Sequence, residues 1–155
     1  MNGNEAEVVW FDVLRRTDVS SVGGKNASLG EMVGRLSGKG ISVPPGFATT
    51  AGAYWEFIDS NGLRETISTV LAEFAAHRRS LADTGETIRR AILRGEWPER
   101  TTRAICDAYG ELARRAGVED PDVAVRSSAT AEDLPDASSR RADQHDLVEA
   151  GFGID

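Results

Sequence analysis

An α+β fold with a few short strands and four or five helices is what the sequence predicts, on three observations. Brief β-branched or aromatic runs at residues 8–11, 41–43 and 123–126 are bounded by turn residues and read as strands. Between the second and third runs lie long stretches whose apolar residues recur at helical spacing. Glycine, proline and hydroxyl residues punctuate those stretches where caps and turns are required.

Taken in order, Val8-Val9-Trp10-Phe11 is the first strand, and Thr17-Asp18-Val19-Ser20-Ser21 is polar and turn-like. Gly23 and Gly24 release the backbone and open a helix with Ala27, Leu29, Met32, Val33 and Leu36 as apolar positions. That helix should end near Ser37-Gly38-Lys39-Gly40, where glycine supplies a left-handed cap. Ile41-Ser42-Val43 alternates before the stiff turn Pro44-Pro45-Gly46. Phe47-Ala48-Thr49-Thr50 leads into a helix capped by Thr49 or Thr50, with Ala53, Tyr54, Phe57 and Ile58 as its apolar face and Asn61-Gly62 as its close.

Residues 63–79, 87–94 and 99–116 repeat the amphipathic pattern, with Trp97-Pro98 between the last two. Residues 63–116 therefore read as a helical insert whose job is packing. After Gly117 a short apolar strand at 123–126 runs into Ser127-Ser128, followed by the acidic turn Glu132-Asp133. Residues 139–155 are polar and show neither period, which predicts a divergent, poorly ordered tail.

Bulk composition narrows the function. The chain has 155 residues, 40% hydrophobic and 28% charged, which describes one folded domain rather than a disordered segment. With 25 acidic against 18 basic side chains the net charge is -7, which argues against sequence-independent binding to nucleic acid. A nucleotide held by a local cluster of cations stays compatible with that balance. Cys106 is the single cysteine, so no intrachain disulfide can form, and its helical setting predicts a buried, inert thiol. The first seven residues lack a basic leader and no apolar run reaches membrane-spanning length, so a cytoplasmic protein without a membrane partner is expected.

Two segments carry possible chemistry. Gly23-Gly24-Lys25 opens a helix whose N-terminus presents unpaired N–H groups and the positive end of its dipole, a setting that attracts anions. Lys25 adds a point charge suited to phosphate. An ordinary turn with no ligand has the same pattern, because the spacing is not that of a Walker loop. Arg126, at the end of the third strand and followed by two serines, can offer a planar cation and hydroxyls to a phosphate. The alternative is an ion pair with Glu132 or Asp133, which as adjacent carboxylates in a turn are more often solvated than metal-bound.

Three ordered blocks resemble the phosphoenolpyruvate synthase (pyruvate, water dikinase) and pyruvate, phosphate dikinase family. They are Val22-Gly23-Gly24-Lys25-Asn26-Ala27-Ser28-Leu29-Gly30-Glu31-Met32, then Val43-Pro44-Pro45-Gly46-Phe47-Ala48-Thr49-Thr50, then Arg126-Ser127-Ser128-Ala129-Thr130-Ala131-Glu132-Asp133-Leu134-Pro135-Asp136-Ala137-Ser138. The resemblance implies the first portion of an ATP-grasp-like nucleotide-binding domain over residues 1–138. It implies that Lys25 and Arg126 contact the phosphates of ATP, with Mg2+ as the accompanying ion, and it assigns no catalytic or metal-ligating residue here. In the full-length family ATP phosphorylates a histidine that passes the group to pyruvate, leaving phosphoenolpyruvate, AMP and phosphate. His77 and His145 do not stand in a context resembling that histidine.

The sequence also departs from the family. After Ala137-Ser138 the family commonly continues Phe-Ala-Gly-Gln with a threonine soon after, whose Gly and Thr contact the nucleotide. This chain has Ser139-Arg140-Arg141-Ala142-Asp143-Gln144-His145-Asp146 instead. The expectation is an ATP-binding segment inactive alone and completed by a separately encoded remainder. The alternatives are a non-enzymatic remnant or a fragment of a rifampicin phosphotransferase.

Overall fold

The computed structural model describes residues 6–41 and 43–130. Their architecture is α+β, as the sequence predicts: six α-helices and one two-stranded antiparallel sheet among the described residues. The strands are β1 (Val8–Trp10) and β2 (Phe47–Thr49). The helices are α1 (Val19–Val22), α2 (Gly24–Leu36), α3 (Ala51–Ser60), α4 (Leu63–Ala75), α5 (Leu81–Leu93) and α6 (Glu99–Ala116). One helix more than expected arises because the polar turn after Thr17 winds into the single turn α1.

Three of the sequence expectations need correction. Residues 41 and 43 form no strand, and residue 42 lies outside the described residues. Pro44 and Pro45 follow at once and have no N–H to give a ladder, so pairing begins only beyond them, at β2. There Thr49 faces Val8, Ala48 faces Val9, and Phe47 faces Trp10, whose ring meets it edge-on at 5.6 Å. Residues 123–126 form no strand, and Val125 is 80% exposed. Cys106 is exposed rather than buried. At about 100° per residue it points away from the α6 face that buries Thr101, Ala108 and Leu112.

Helix ends follow the local chemistry closely. Gly40 adopts the left-handed conformation and Ile41 N–H donates to the Leu36 carbonyl at 3.2 Å, the closing bond of a Schellman cap. Gly117 ends α6 in the same manner, with Val118 N–H on the Ala113 carbonyl. Ser80 accepts the Asp83 N–H at 3.1 Å, which lets α5 begin at Leu81, ahead of the expected residue 87.

The chain divides into two compact units. The first holds the described parts of residues 1–54 and 99–134, and the second holds residues 55–98. In the second, Phe57, Ile58 and Leu63 form a core with Ile67, Ala91 and Ile92. Asn61 fastens the chain after α5, its amide donating to the Glu96 carbonyl and accepting the Glu96 N–H. Arg64 pairs with Asp59 at 2.8 Å and holds that carboxyl below its ordinary range.

In the first unit, Leu14, Val22, Ala27 and Ala48 are the core, with Val9, Phe11 and Val19 packed on it. A buried polar network joins β1, α3 and α6. The Glu7 carboxylate accepts from Thr101 Oγ1 at 2.9 Å and pairs with Arg100 at 2.9 Å, at the positive end of α6. Further along α6, Arg115 lies over the Trp10 ring at 3.8 Å and bonds Asp12 at 3.1 Å. Hydrogen bonds from Arg114 and then Arg115 bring the Glu111 carboxyl down to about 2.

Thr50 is the cap predicted for α3. Its hydroxyl accepts the Ala53 N–H at 3.2 Å and donates to the Ala6 carbonyl at 2.9 Å. Thr50→Val is therefore expected to cost about 1–2 kcal/mol, read as a lower urea midpoint at unchanged slope. Thr49→Val, at an exposed strand position, is expected to change it by less than about 0.5 kcal/mol. Equal midpoints for the two variants would show that Thr50 does not cap the helix.

Candidate functional site

Gly23 is the joint between α1 and α2. With φ at 81° and ψ at 161° it occupies a backbone conformation that side chains resist, and it serves as both the end of α1 and the N-cap of α2. Its N–H donates to the Val19 carbonyl at 2.8 Å, and its own carbonyl accepts the Ala27 N–H at 3.1 Å. Asn26 reinforces the joint by donating its amide to the Val22 carbonyl at 2.7 Å. Lys25 is the second residue of α2 and is exposed.

The other segment arrives by way of α6. Past Gly117 the Tyr109 hydroxyl donates to the Asp120 carboxylate at 2.5 Å and lies 3.0 Å from the Pro121 carbonyl. That hydrogen bond, ahead of burial and nearby negative charge, raises the Tyr109 pKa. The chain then continues without regular structure through Arg126, which is exposed, to Ser128 and Ala129.

There the two segments meet backbone to backbone. Gly24 N–H donates to the Ala129 carbonyl at 3.3 Å. A Cβ placed on Gly23 would come within 2.2 Å of Ser128 Oγ and 3.0 Å of the Ala129 oxygen. Ser128 Oγ is buried and has no hydrogen-bond partner among the described residues. The structure thus gathers the turn that carries Lys25 and the stretch that carries Arg126 at the N-terminus of a 13-residue helix. It shows no direct contact between the two cationic side chains.

The arrangement suits an anion. Gly23 and Gly24 are buried and the Gly24 N–H is taken up by Ala129, so what stays exposed around this helix start is cationic: Lys25 in its first turn and Arg126 on the adjoining stretch. Among the described residues no group of three or more His, Cys, Asp or Glu could hold a metal ion. Glu132, Asp133, His145 and the tail at 139–155 lie outside the described residues. The sequence did not single out the contact of Ser128 and Ala129 with the glycine pair. Its only trace is a run of small residues in each partner, Gly23-Gly24 and Ser127-Ser128-Ala129.

Residues 19–140, which span both segments, match the family described as pyruvate phosphate dikinase, AMP/ATP-binding domain. The chain belongs to that family. Among curated relatives, the phosphoenolpyruvate synthase of Neisseria meningitidis is 54% identical over 132 residues, covering 84% of this chain and 17% of the relative. The phosphoenolpyruvate synthase of Pseudomonas aeruginosa is 50% identical over 132 residues, covering 84% and 16%. That of Escherichia coli is 44% identical over 152 residues, covering 97% and 19%. The chain therefore spans less than a fifth of the length of these relatives.

Within this AMP/ATP-binding domain the joint makes a definite demand on position 23. Gly23→Ala is expected to lower stability by about 2 kcal/mol or more, from a strained φ and a collision with Ser128. Gly34→Ala, in the same helix with nothing within 4 Å of the new methyl, is expected to raise it by about 0.5–1 kcal/mol. Parallel urea unfolding decides, and similar shifts in both variants would contradict the close approach.

Proposed function

We propose that this chain is the ATP-binding N-terminal segment of a phosphoenolpyruvate synthase-type phosphotransferase, and that Lys25 and Arg126 grip the nucleotide's phosphates. The observation that carries the reading is the junction of Gly23-Gly24 with Ser128-Ala129, which brings the neighbourhoods of both cations to one helix N-terminus. Membership of an AMP/ATP-binding family and similarity to phosphoenolpyruvate synthases support it. On this reading residues 1–138 are the first part of an ATP-grasp-like domain in a cytoplasmic protein.

The division of labour follows from charge. Lys25, as a compact point charge in the first turn of α2, holds phosphate oxygens without demanding one orientation. Arg126 presents a planar fork that takes two oxygens at once and so fixes the direction of the chain of phosphates. Magnesium would arrive on the nucleotide itself, where it neutralises phosphate charge. These residues bind and orient ATP. Passing a phosphoryl group onward, and so making phosphoenolpyruvate, AMP and phosphate from pyruvate, ATP and water, is assigned to the remainder of a relative-length protein, in cis or as a separate chain.

Calorimetric titration of the full chain with Mg-ATP tests this. Saturable binding is expected, weakened roughly ten- to a hundredfold in both Lys25→Ala and Arg126→Ala, since each removes a charge-assisted contact. No binding by a chain shown to be folded by circular dichroism would overturn the proposal and leave a non-enzymatic remnant.

A further inference from the structure

Ser128 has no part in the grip assigned to Lys25 and Arg126, yet its hydroxyl is the nearest atom to the space that a side chain on Gly23 would fill. The hydroxyl is buried and unpartnered among the described residues. An unpartnered buried hydroxyl is a net cost, so hydrogen bonding does not account for its presence there. Its location does. The side chain projects into the notch left by the missing Gly23 Cβ, while the next residue bonds Gly24 through its carbonyl.

We propose that Ser128 is a positioning residue of the nucleotide site, a peg whose size sets how close the Arg126 stretch lies to the start of α2. The inference rests on the phosphate-binding reading given above. A phosphate chain gripped from both sides needs the two cations at a suitable separation, and misplacement by about 1 Å weakens one grip. Both ends of that separation are fixed by backbone: Lys25 lies two residues after Gly23, and Arg126 two residues before Ser128. Because the hydroxyl is buried in the joint, Ser128 acts through the spacing it sets and does not touch the nucleotide.

A set of variants read by Mg-ATP titration, with circular dichroism as the check on folding, separates this from other roles. Ser128→Val adds a branch to a filled notch and should weaken binding by about tenfold or more. Ser128→Ala empties the notch without adding bulk, so nothing is pushed apart, and it should bind within about threefold of the wild type. Gly23→Ala should lose affinity, and Gly23→Ala/Ser128→Ala should recover part of it, a coupling expected only of groups that share one space. Should Ser128→Val fail to fold, Ser128→Thr, which keeps the hydroxyl and adds one methyl, is read in its place.

A wild type that binds while Ser128→Val and Ser128→Thr bind equally well would overturn the positioning role and leave the phosphate reading standing. So would a loss in Ser128→Ala as large as in Ser128→Val, since the hydroxyl itself would then be the ligand contact. A folded wild type that binds no Mg-ATP would overturn both.

Discussion

The stretch at Ser128 and Ala129 lies directly on the joint between two helices, and it can do so because that joint is Gly23, which has no side chain to hold it off. Its left-handed φ and the absence of a Cβ let Ser128 and Ala129 sit directly on the joint between α1 and α2. Any larger residue would meet a hydroxyl and a carbonyl at once. The hydrogen bond from Gly24 to Ala129 then satisfies one of the donors that a helix start leaves over. Everything assigned to Lys25 and Arg126 depends on this contact, because neither side chain reaches the other through its own bonds.

The rest of the first unit serves to bring that contact about. Glu7 is a buried carboxylate with two partners on the first turn of α6, and Thr50 ties the start of α3 to the same strand end. Removing either partner would leave polar groups buried without company, which is a larger loss than the bonds themselves represent. At the far end of α6, Arg115 spans Trp10, Asp12 and Glu111, so the helix is fixed to β1 and the chain after it at both ends. From there Tyr109 guides residues 120 and 121 back toward α2. The helix works as a strut, and its placement determines where the Arg126 stretch can run.

What the sequence disclosed is what local chemistry decides. Apolar spacing located α2, α3, α4, α5 and α6, and the caps at Gly40, Thr50 and Gly117 obey rules that need only a few neighbouring residues. Pairing was less legible. The apolar alternation at 41–43 pointed to a strand that residues 41 and 43 do not form, while Phe47-Ala48-Thr49 resembled a lead into a helix and proved to be the strand. The exposed side of α6 that carries Cys106 was not foreseen either, since a helix face is assigned by what packs on it. At the candidate site, Lys25 and Arg126 were visible as residue types beside glycine and serine. Ser128 was not, because its significance lies in a contact across the length of the chain that no local pattern encodes.

The most direct test of the joint is a through-space proton measurement on the isotopically labelled chain in solution, free of nucleotide. The account predicts a nuclear Overhauser contact between the Gly23 α-protons and the Ser128 β-protons, as strong as contacts across the β1–β2 pair. A chain that shows the β1–β2 contacts but none between Gly23 and Ser128 would be folded without the junction, and the site built on it would not exist.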